Sequence, residues 1–220
     1  MACCALQTVA LMLGIIGMAG TFATTLMPQW KVSAFMGNII VFETIWEGLW
    51  MVCVSHIKKH QCKFYGSLLA LPTALDVSRA LMCIACVLSV IAFLVALAGM
   101  KCIRCPGNDE QVKSKILLAA GALFLLTGVI VLSLVSFVAH NIIKDFHNPA
   151  IHVTQKRELG AALYLGWSTS AFLISSGAIF FSFCHCTEKP GRYRYSLPSG
   201  HRLSQPEHIR MKPLSVHSYV

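Results

Sequence analysis

Cysteine and histidine are the residue types in this chain with the widest range of possible chemistry. The sequence contains 10 cysteines and 9 histidines among 220 residues. Thiolates and imidazoles can bind metals, act as nucleophiles or transfer protons. However, the sequence contains no His-Glu-x-x-His zinc motif, Gly-x-Ser-x-Gly nucleophile turn, Walker phosphate loop or dinucleotide-binding fingerprint. We therefore expect no enzyme activity, no cofactor and no catalytic metal.

Two cysteines, Cys53 and Cys62, lie in an aromatic, polar-flanked stretch that begins at Trp30, between two long apolar runs. Two cysteines in a loop, rather than scattered through a core, indicate a disulfide that closes a hairpin. Such a bond persists on an oxidising side of a membrane. Short β-branched or aromatic stretches, broken by Gly37-Asn38 and Glu47-Gly48, predict strands. We expect these strands at Lys31–Phe35, Ile39–Glu43 and Gly48–Cys53.

The second cysteine of this pair is surrounded by basic residues. They are His56, Lys58, Lys59, His60 and Lys63. A run of this kind is usually a solvated hairpin tip. Lys63 differs because it is adjacent to the predicted disulfide, where the backbone should be rigid. At about 4 Å and an effective dielectric of about 20, two unit charges interact by about 4 kcal/mol, and a third of that changes occupancy about tenfold. A rigid lysine beside a narrow water path could therefore select ions.

Four further cysteines lie at the ends of apolar runs. They are Cys102, Cys105, Cys184 and Cys186. A reducing position beside a membrane favours S-palmitoylation. A zinc site formed by the two pairs and free thiols are the alternatives. Cys83 and Cys86 lie inside an apolar run, where we expect them to pack in the core.

Four stretches without Asp, Glu, Lys or Arg set the architecture of the chain. The sequence is 56% hydrophobic and only 12% charged, which is too apolar for an ordinary soluble domain. A helix of about 20 residues spans the roughly 30 Å hydrocarbon core of a bilayer. The charge-free stretches are residues 1–30, 80–100, 116–143 and 159–187. They predict an all-α membrane four-helix bundle.

The segments between these spans give the predicted organisation. Residues 1–27 hold the N-terminus and the first helix, 80–100 the second helix, 116–138 the third and 160–183 the fourth. Residues 28–79 and 139–159 form two outer loops, 101–115 a cytosolic connector and 184–220 a disordered tail. Lysine and arginine number ten in the connector and tail against eight in the outer loops, a weak bias. The predicted disulfide decides the orientation and makes both termini cytosolic.

The net charge of +9 lies in the loops and tail rather than on one folded face. No nucleic-acid-binding motif accompanies it. We therefore exclude nucleic acid as a partner and expect membrane lipid instead.

The loop motif and the rest of the chain together resemble one family. Trp30, Gly48-Leu49-Trp50, Cys53, Cys62 and Arg79 resemble the first-loop signature of claudins, the four-span tight-junction proteins. The resemblance continues through Asp145-Phe146 and Asn148-Pro149 into residues 156–167. It is strongest to the branch of claudins eight and seventeen, through residues 28–30, 32–35 and 148–152.

This resemblance implies a left-handed four-helix bundle with a small extracellular antiparallel β-sheet, to which the second loop adds a strand at His152–Lys156. It implies polymerisation with the same or other claudins, in cis and in trans. In similar claudins, the residue after the second cysteine lines the paracellular path. Lys63 would thus favour anions such as chloride or block cations. Leu68 would dock onto a neighbouring protomer near Phe146.

The chain ends in Ser218-Tyr219-Val220, which suits the groove of a PDZ domain in a tight-junction scaffold. Three alternatives remain open. The chain could be an auxiliary subunit or another non-junctional member of the same four-span superfamily. It could be a barrier claudin without a conducting path, or, with nothing to support it, a membrane enzyme.

Overall fold

The computed structural model describes residues 2–33, 43–56, 59–66, 72–100, 110–150, 152 and 156–187. Lys58, Leu68, Cys102, Cys105 and Ser218–Val220 lie outside these residues, as do the side chains of Cys184 and Cys186. The described part contains four helices and five strands. They are α1 (Ala2–Leu26), β1 (Lys31–Ser33), β2 (Glu43–Glu47), β3 (Met51–His56), β4 (Lys59–Phe64), α2 (Thr73–Gly99), α3 (Glu110–His147), β5 (Arg157–Leu159) and α4 (Ala161–Thr187).

All four helices are long and apolar enough to cross a membrane. In hydrocarbon every backbone N–H and C=O must be paired within the segment, so a charge-free run of this length forms a helix. Large apolar side chains remain exposed on the outside of the bundle, among them Phe22, Ile84 and Leu126. In a bilayer these side chains face lipid. The predicted four-span membrane bundle is confirmed.

Small residues allow α1 to approach α4 closely. A Cβ on Gly17 would lie 2.7 Å from Leu173 Cδ2 of α4. Ser176 Oγ on α4 donates a hydrogen bond of 2.7 Å to the carbonyl of Ala10 on α1. Close backbone contact and interhelical hydrogen bonds are what hold helices together where lipid is as apolar as the interface. The glycines of α1 are therefore contact residues.

The two cysteines inside α2 have different environments. Cys86 is buried and its Sγ lies 3.4 Å from Thr25 Oγ1 of α1. Cys83 is exposed on the outside of the helix. The expectation that both pack in the core is wrong for Cys83, because α2 turns only part of its circumference toward the bundle.

The five strands form a single antiparallel sheet in the order β4-β3-β2-β1-β5. β3 and β4 form a hairpin, and β2 joins them to β1. β5 comes from the second loop and pairs with β1, with Val32 opposite Glu158. The two loops therefore share one sheet, as the claudin resemblance implies.

One strand prediction needs correction, and another falls partly outside the described residues. Of the strand expected at His152–Lys156, residues 153–155 are outside the described part of the chain. The described strand of the second loop is Arg157–Leu159, which pairs with β1, and the N–H of Gly160 after it donates to the carbonyl of Trp30. The strand expected from Gly48 begins only at Met51. The N–H of Gly48 donates to the Met51 carbonyl at 2.9 Å, so the intervening residues form a turn.

Two helices are longer than their charge-free stretches. α2 begins at Thr73, directly after Pro72, so the last residues of the predicted first loop are helical. α3 continues to His147, well into the predicted second loop. A lack of charge marks the part of a helix that lies in hydrocarbon, and charged turns such as those carrying Asp76 and Lys144 extend the helices beyond it.

Candidate functional site

Trp30 joins α1 to both loops. Its side chain is 2% exposed, and the indole Nε1 donates to the carbonyl of Thr24 at 2.9 Å. Its backbone N–H donates to Glu47 O at 3.0 Å, and its carbonyl accepts from the N–H of Gly160 at 3.1 Å. A buried indole needs a partner for its N–H, and here that partner is the last turn of α1. Trp30 therefore fixes the sheet at the end of the bundle where α1 ends and α4 begins.

Arg79 connects α2 to the turn formed by Gly48-Leu49-Trp50. Its Nε donates to the carbonyl of Leu49 at 2.6 Å, and the side chain is buried. The guanidinium carbon lies 5.4 Å from the ring centroid of Trp50 and 5.1 Å from that of Tyr65. A buried cation is tolerated where hydrogen bonds and aromatic faces replace water. The first-loop signature residues are thus a structural cluster beneath the sheet.

Gly48 is required by close packing in the turn. A Cβ at this position would lie 2.5 Å from Pro28 Cα and 3.0 Å from Met27 O, both backbone atoms that cannot rotate away. The next residue, Leu49, is 1% exposed and belongs to the core between the sheet and the helices. The turn therefore buries the Leu49 side chain between the sheet and the ends of the helices.

Tyr65 follows β4 and completes this cluster. Its hydroxyl donates to the carbonyl of Gly48 at 3.4 Å, and its N–H donates to the carbonyl of Trp50 at 3.3 Å. Burial raises the pKa of the phenol, the Glu47 carboxylate raises it further, and the Arg79 cation opposes them. The hydroxyl is therefore a neutral donor at physiological pH.

The Cys53–Cys62 disulfide joins directly opposite positions of β3 and β4, with the Cα atoms 4.0 Å apart. Cys53 is buried in the sheet, whereas Cys62 is on the exposed strand. The bond closes a hairpin with a sequence separation of 9 residues. It holds β4, an edge strand of the sheet, on the rest of the loop.

The basic cluster divides between the two faces of the sheet. Directly opposite residues share a face, and successive residues alternate. Lys63 is opposite Val52, which is opposite Glu47, which in turn is opposite Lys31. His60 therefore lies on the other face, where its ring stacks on Trp46 with the centroids 6.2 Å apart.

We call the face with Lys63 the basic face. Besides Lys63, the charged or titratable register positions of this face are Lys31, Glu43, Glu47, His56, Lys59 and Arg157. Of the described candidates for charge selection, Lys63, Lys59 and His56 are thus brought together on one face, and His60 is not.

An ion pair on the basic face links the two loops. Arg157 of β5 donates from Nε to Glu47 Oε1 at 2.9 Å, and its Nη2 lies 2.8 Å from the same oxygen. The side chains are 22% and 30% exposed, so solvent screens the pair only in part. This pair is not recognisable from the sequence, because 110 residues separate its members.

The comparisons with known proteins agree with this geometry. A model of the PMP-22/EMP/MP20/Claudin family matches residues 4–180. Mouse Claudin-8 is 54% identical over 220 residues, covering 99% of this chain and 98% of that protein. Pig Claudin-17 is 55% identical over 195 residues, covering 88% and 87%. Human Claudin-4 is 43% identical over 201 residues, covering 89% and 95%.

The chain belongs to the claudin family. The match extends over nearly the whole length of these relatives, and it includes both members of the branch that the loop residues indicate. The family assignment agrees with the expectation of a junction protein. Among the described residues of this claudin, no group of three or more His, Cys, Asp or Glu could hold a metal ion.

Phe146, the proposed docking aromatic, lies in the last turn of α3 beside β5. The Nζ of Lys156 is 5.3 Å from its ring centroid, and the His147 ring is 5.7 Å away, edge on. A shallow pocket of about 280 Å³ surrounds it. The pocket is lined by Ile142, Ile143, Phe146, His147, Arg157, Glu158, Leu159 and Tyr164.

A larger cavity of about 830 Å³ lies between the basic face and the outer ends of α2 and α3. Lys31, Glu47 and Val52 line it from the sheet, and Ser78 and Lys144 line it from the helices. The basic face of this claudin therefore borders a hollow space at Lys31, Glu47 and Val52.

Proposed function

We propose that this claudin forms tight-junction strands that seal the paracellular space and favour anions or block cations through Lys63. Three claudin relatives cover this chain almost completely, and both loops contribute to one sheet at the outer end of four membrane spans. In this proposal the sheet faces the space between cells and both chain termini are cytosolic.

The observation that carries the selectivity proposal is the position of Lys63. It is exposed on β4, next to the disulfide-bonded Cys62, on the basic face of the sheet. The strand pairing and the disulfide limit backbone movement, so the ammonium group is attached to a fixed point. A fixed cation beside a water path lowers the local concentration of cations and raises that of anions.

A dilution potential across claudin-poor epithelial monolayers tests this proposal. We expect expression of the native chain to raise the chloride-to-sodium permeability ratio, Lys63→Gln to remove most of that rise and Lys63→Glu to reverse it. Lys59→Gln is the matched control, because Lys59 is on the same strand and the same face, one step from the hairpin tip.

Two results would count against Lys63. If the native chain raises electrical resistance and no Lys63 variant changes the permeability ratio, the protein is a barrier without a lysine-controlled path. If Lys59→Gln changes the ratio as much as Lys63→Gln, the effect comes from the general charge of the hairpin.

The proposal extends to assembly and anchoring. Leu68 of one protomer would insert near Phe146 of a neighbour in the same membrane, since the pocket around Phe146 is lined largely by apolar side chains. The C-terminal Ser218-Tyr219-Val220 would bind PDZ scaffold proteins as an added strand. S-palmitoylation would fall on the four cysteines at the cytosolic ends of the helices, Cys102, Cys105, Cys184 and Cys186.

A further inference from the structure

The Glu47–Arg157 ion pair lies on the same face as Lys63. Glu47 and Lys63 are both opposite Val52, one from each neighbouring strand. Adjacent strands are about 4.8 Å apart, so the two backbone positions are separated by about 10 Å. Arg157 lies opposite Ser33, two positions along β1 from Lys31, and reaches Glu47 across β1. The side chain of Arg157 therefore contacts Glu47, and the backbone position of Glu47 is about 10 Å from that of Lys63.

Glu47 is the carboxylate in the same cross-strand row as Lys63, whereas Glu43 lies four residues away along β2, in the row of Lys59. If Glu47 were unpaired, its negative charge would attract cations at the sheet surface and oppose the effect of Lys63. The two charges are about one Debye length apart, so salt screens their opposition only in part. Both contacts from Arg157, through Nε and Nη2, go to the same oxygen of Glu47. With that charge neutralised, Lys31 and Lys63 remain as the net positive charges of the central part of the face.

We propose that Arg157 is a selectivity-determining residue of the second loop, which cancels Glu47 and so lets Lys63 set the charge preference of the path. This inference rests on the proposed function of the basic face and deepens it. It makes the second loop part of the selectivity element, in addition to its role in assembly. It also predicts that the two members of one ion pair affect permeability in opposite directions.

The expected size of each effect follows from the separation. A unit charge about 10 Å from an ion in water, screened over about one Debye length, changes the occupancy of that ion about 1.3-fold. Because chloride and sodium respond in opposite directions, their ratio changes by about 1.7-fold. Arg157→Gln leaves the carboxylate of Glu47 unpaired and should lower the chloride-to-sodium permeability ratio about 1.7-fold. Glu47→Gln leaves the guanidinium of Arg157 unpaired and should raise that ratio by a similar factor.

The competing explanation is a purely structural clamp. Both single variants break the same contact between β2 and β5, so a clamp predicts changes of the same sign in both. The double variant Glu47→Gln/Arg157→Gln separates the two explanations further. It has lost the clamp entirely but carries no unpaired charge, so we expect its permeability ratio to return to the native value.

The experiment measures dilution potentials for the native chain, the two single variants and the double variant in the same monolayers. Freeze-fracture electron microscopy of each line verifies that strands form at equal density. Lys63→Gln is included in every run as the test of the proposed function itself. The supporting result is a fall for Arg157→Gln, a rise for Glu47→Gln and restoration in the double variant.

Each other result overturns a specific statement. Single variants that move the ratio in the same direction, or a double variant that stays as altered as Arg157→Gln, reduce the pair to a clamp. If Lys63→Gln changes the ratio and neither pair variant does, the role of Arg157 is refuted while the proposed function stands. If the pair variants respond in opposite directions and Lys63→Gln does not, selectivity comes from the pair and the role of Lys63 is wrong. If no variant responds, both proposals fail.

Discussion

Replacement of Arg79 by methionine should destabilise the outer end of the bundle while leaving the membrane spans intact. Methionine retains the unbranched apolar stem but removes the guanidinium that bonds the Leu49 carbonyl at 2.6 Å. That carbonyl would then lie in a buried position without its partner. The contacts with the Trp50 and Tyr65 rings, at 5.4 and 5.1 Å, would also be lost.

The cost of Arg79→Met can be estimated from these contacts. A hydrogen bond from a charged donor contributes about 1.5–3 kcal/mol, and each cation–π contact about 0.5–1 kcal/mol or more. The variant also avoids burying a charge, which offsets part of this loss. The Asp76 carboxylate, 3.5 Å away and 43% exposed, adds little. We therefore expect a net loss of about 3 kcal/mol, or about 6–12 °C in Tm for a chain of this size.

The assay for Arg79 is thermal unfolding of the purified full chain in detergent, followed by fluorescence-detected size exclusion. Arg79→Lys should lie between the native chain and Arg79→Met, because a single ammonium cannot bond the carbonyl and stack on both rings. Lys144→Met, which removes one exposed cation from the outer end of α3, is the control. An Arg79→Met melting temperature within 2 °C of native, or an equal drop for Lys144→Met, would refute this account of the cluster.

Two further predictions concern the first loop. The double variant Cys53→Ser/Cys62→Ser removes the disulfide that closes a hairpin with a sequence separation of 9, and it should lower the free energy of unfolding by about 2–3 kcal/mol. We expect it to form no strands in freeze-fracture replicas, and normal strands would contradict the role of the disulfide. Cys83→Ser is the control. Gly48→Ala places a Cβ 2.5 Å from Pro28 Cα and should lower stability by about 1–3 kcal/mol. Gly66→Ala, whose Cβ would meet no described atom within 4 Å, should leave Tm unchanged, and equal Tm values for both alanine variants would contradict the packing argument.

The sequence predicts the helices better than the strands, for a physical reason. A membrane span must exclude charge over about 20 residues, and this leaves a long and unambiguous signal. A three-residue strand leaves almost none. The residues of β5, Arg157–Leu159, contain two charges and are paired only because β1 offers a free edge. The prediction of a strand at His152–Lys156 came from the family resemblance alone, and residues 153–155 of that range lie outside the described part of the chain.

Most side-chain contacts of the site join residues that are far apart in the sequence, so they cannot be read from the sequence alone. The disulfide was predictable because cysteines bond each other and two of them occur in one loop. Arg79 was recognised only as a member of a motif, and its bond to Leu49 spans 30 residues. The Glu47–Arg157 pair spans 110 residues and joins two loops that the sequence presents as separate. Only the strand order makes Glu47 and Arg157 neighbours.

The shared sheet has a consequence for how selectivity can change in this claudin. Trp30 fixes β1 to the end of α1, and β1 lies between β2, which carries Glu47, and β5, which carries Arg157. A substitution in the second loop can therefore alter the charge balance at Lys63 without any change in the first loop. In the two proposals, selectivity and assembly share β5, because Arg157 also lines the pocket around Phe146. A neighbouring protomer that occupies this pocket would contact Arg157, the residue that neutralises Glu47. Strand assembly and charge selection would then be coupled through the guanidinium of Arg157.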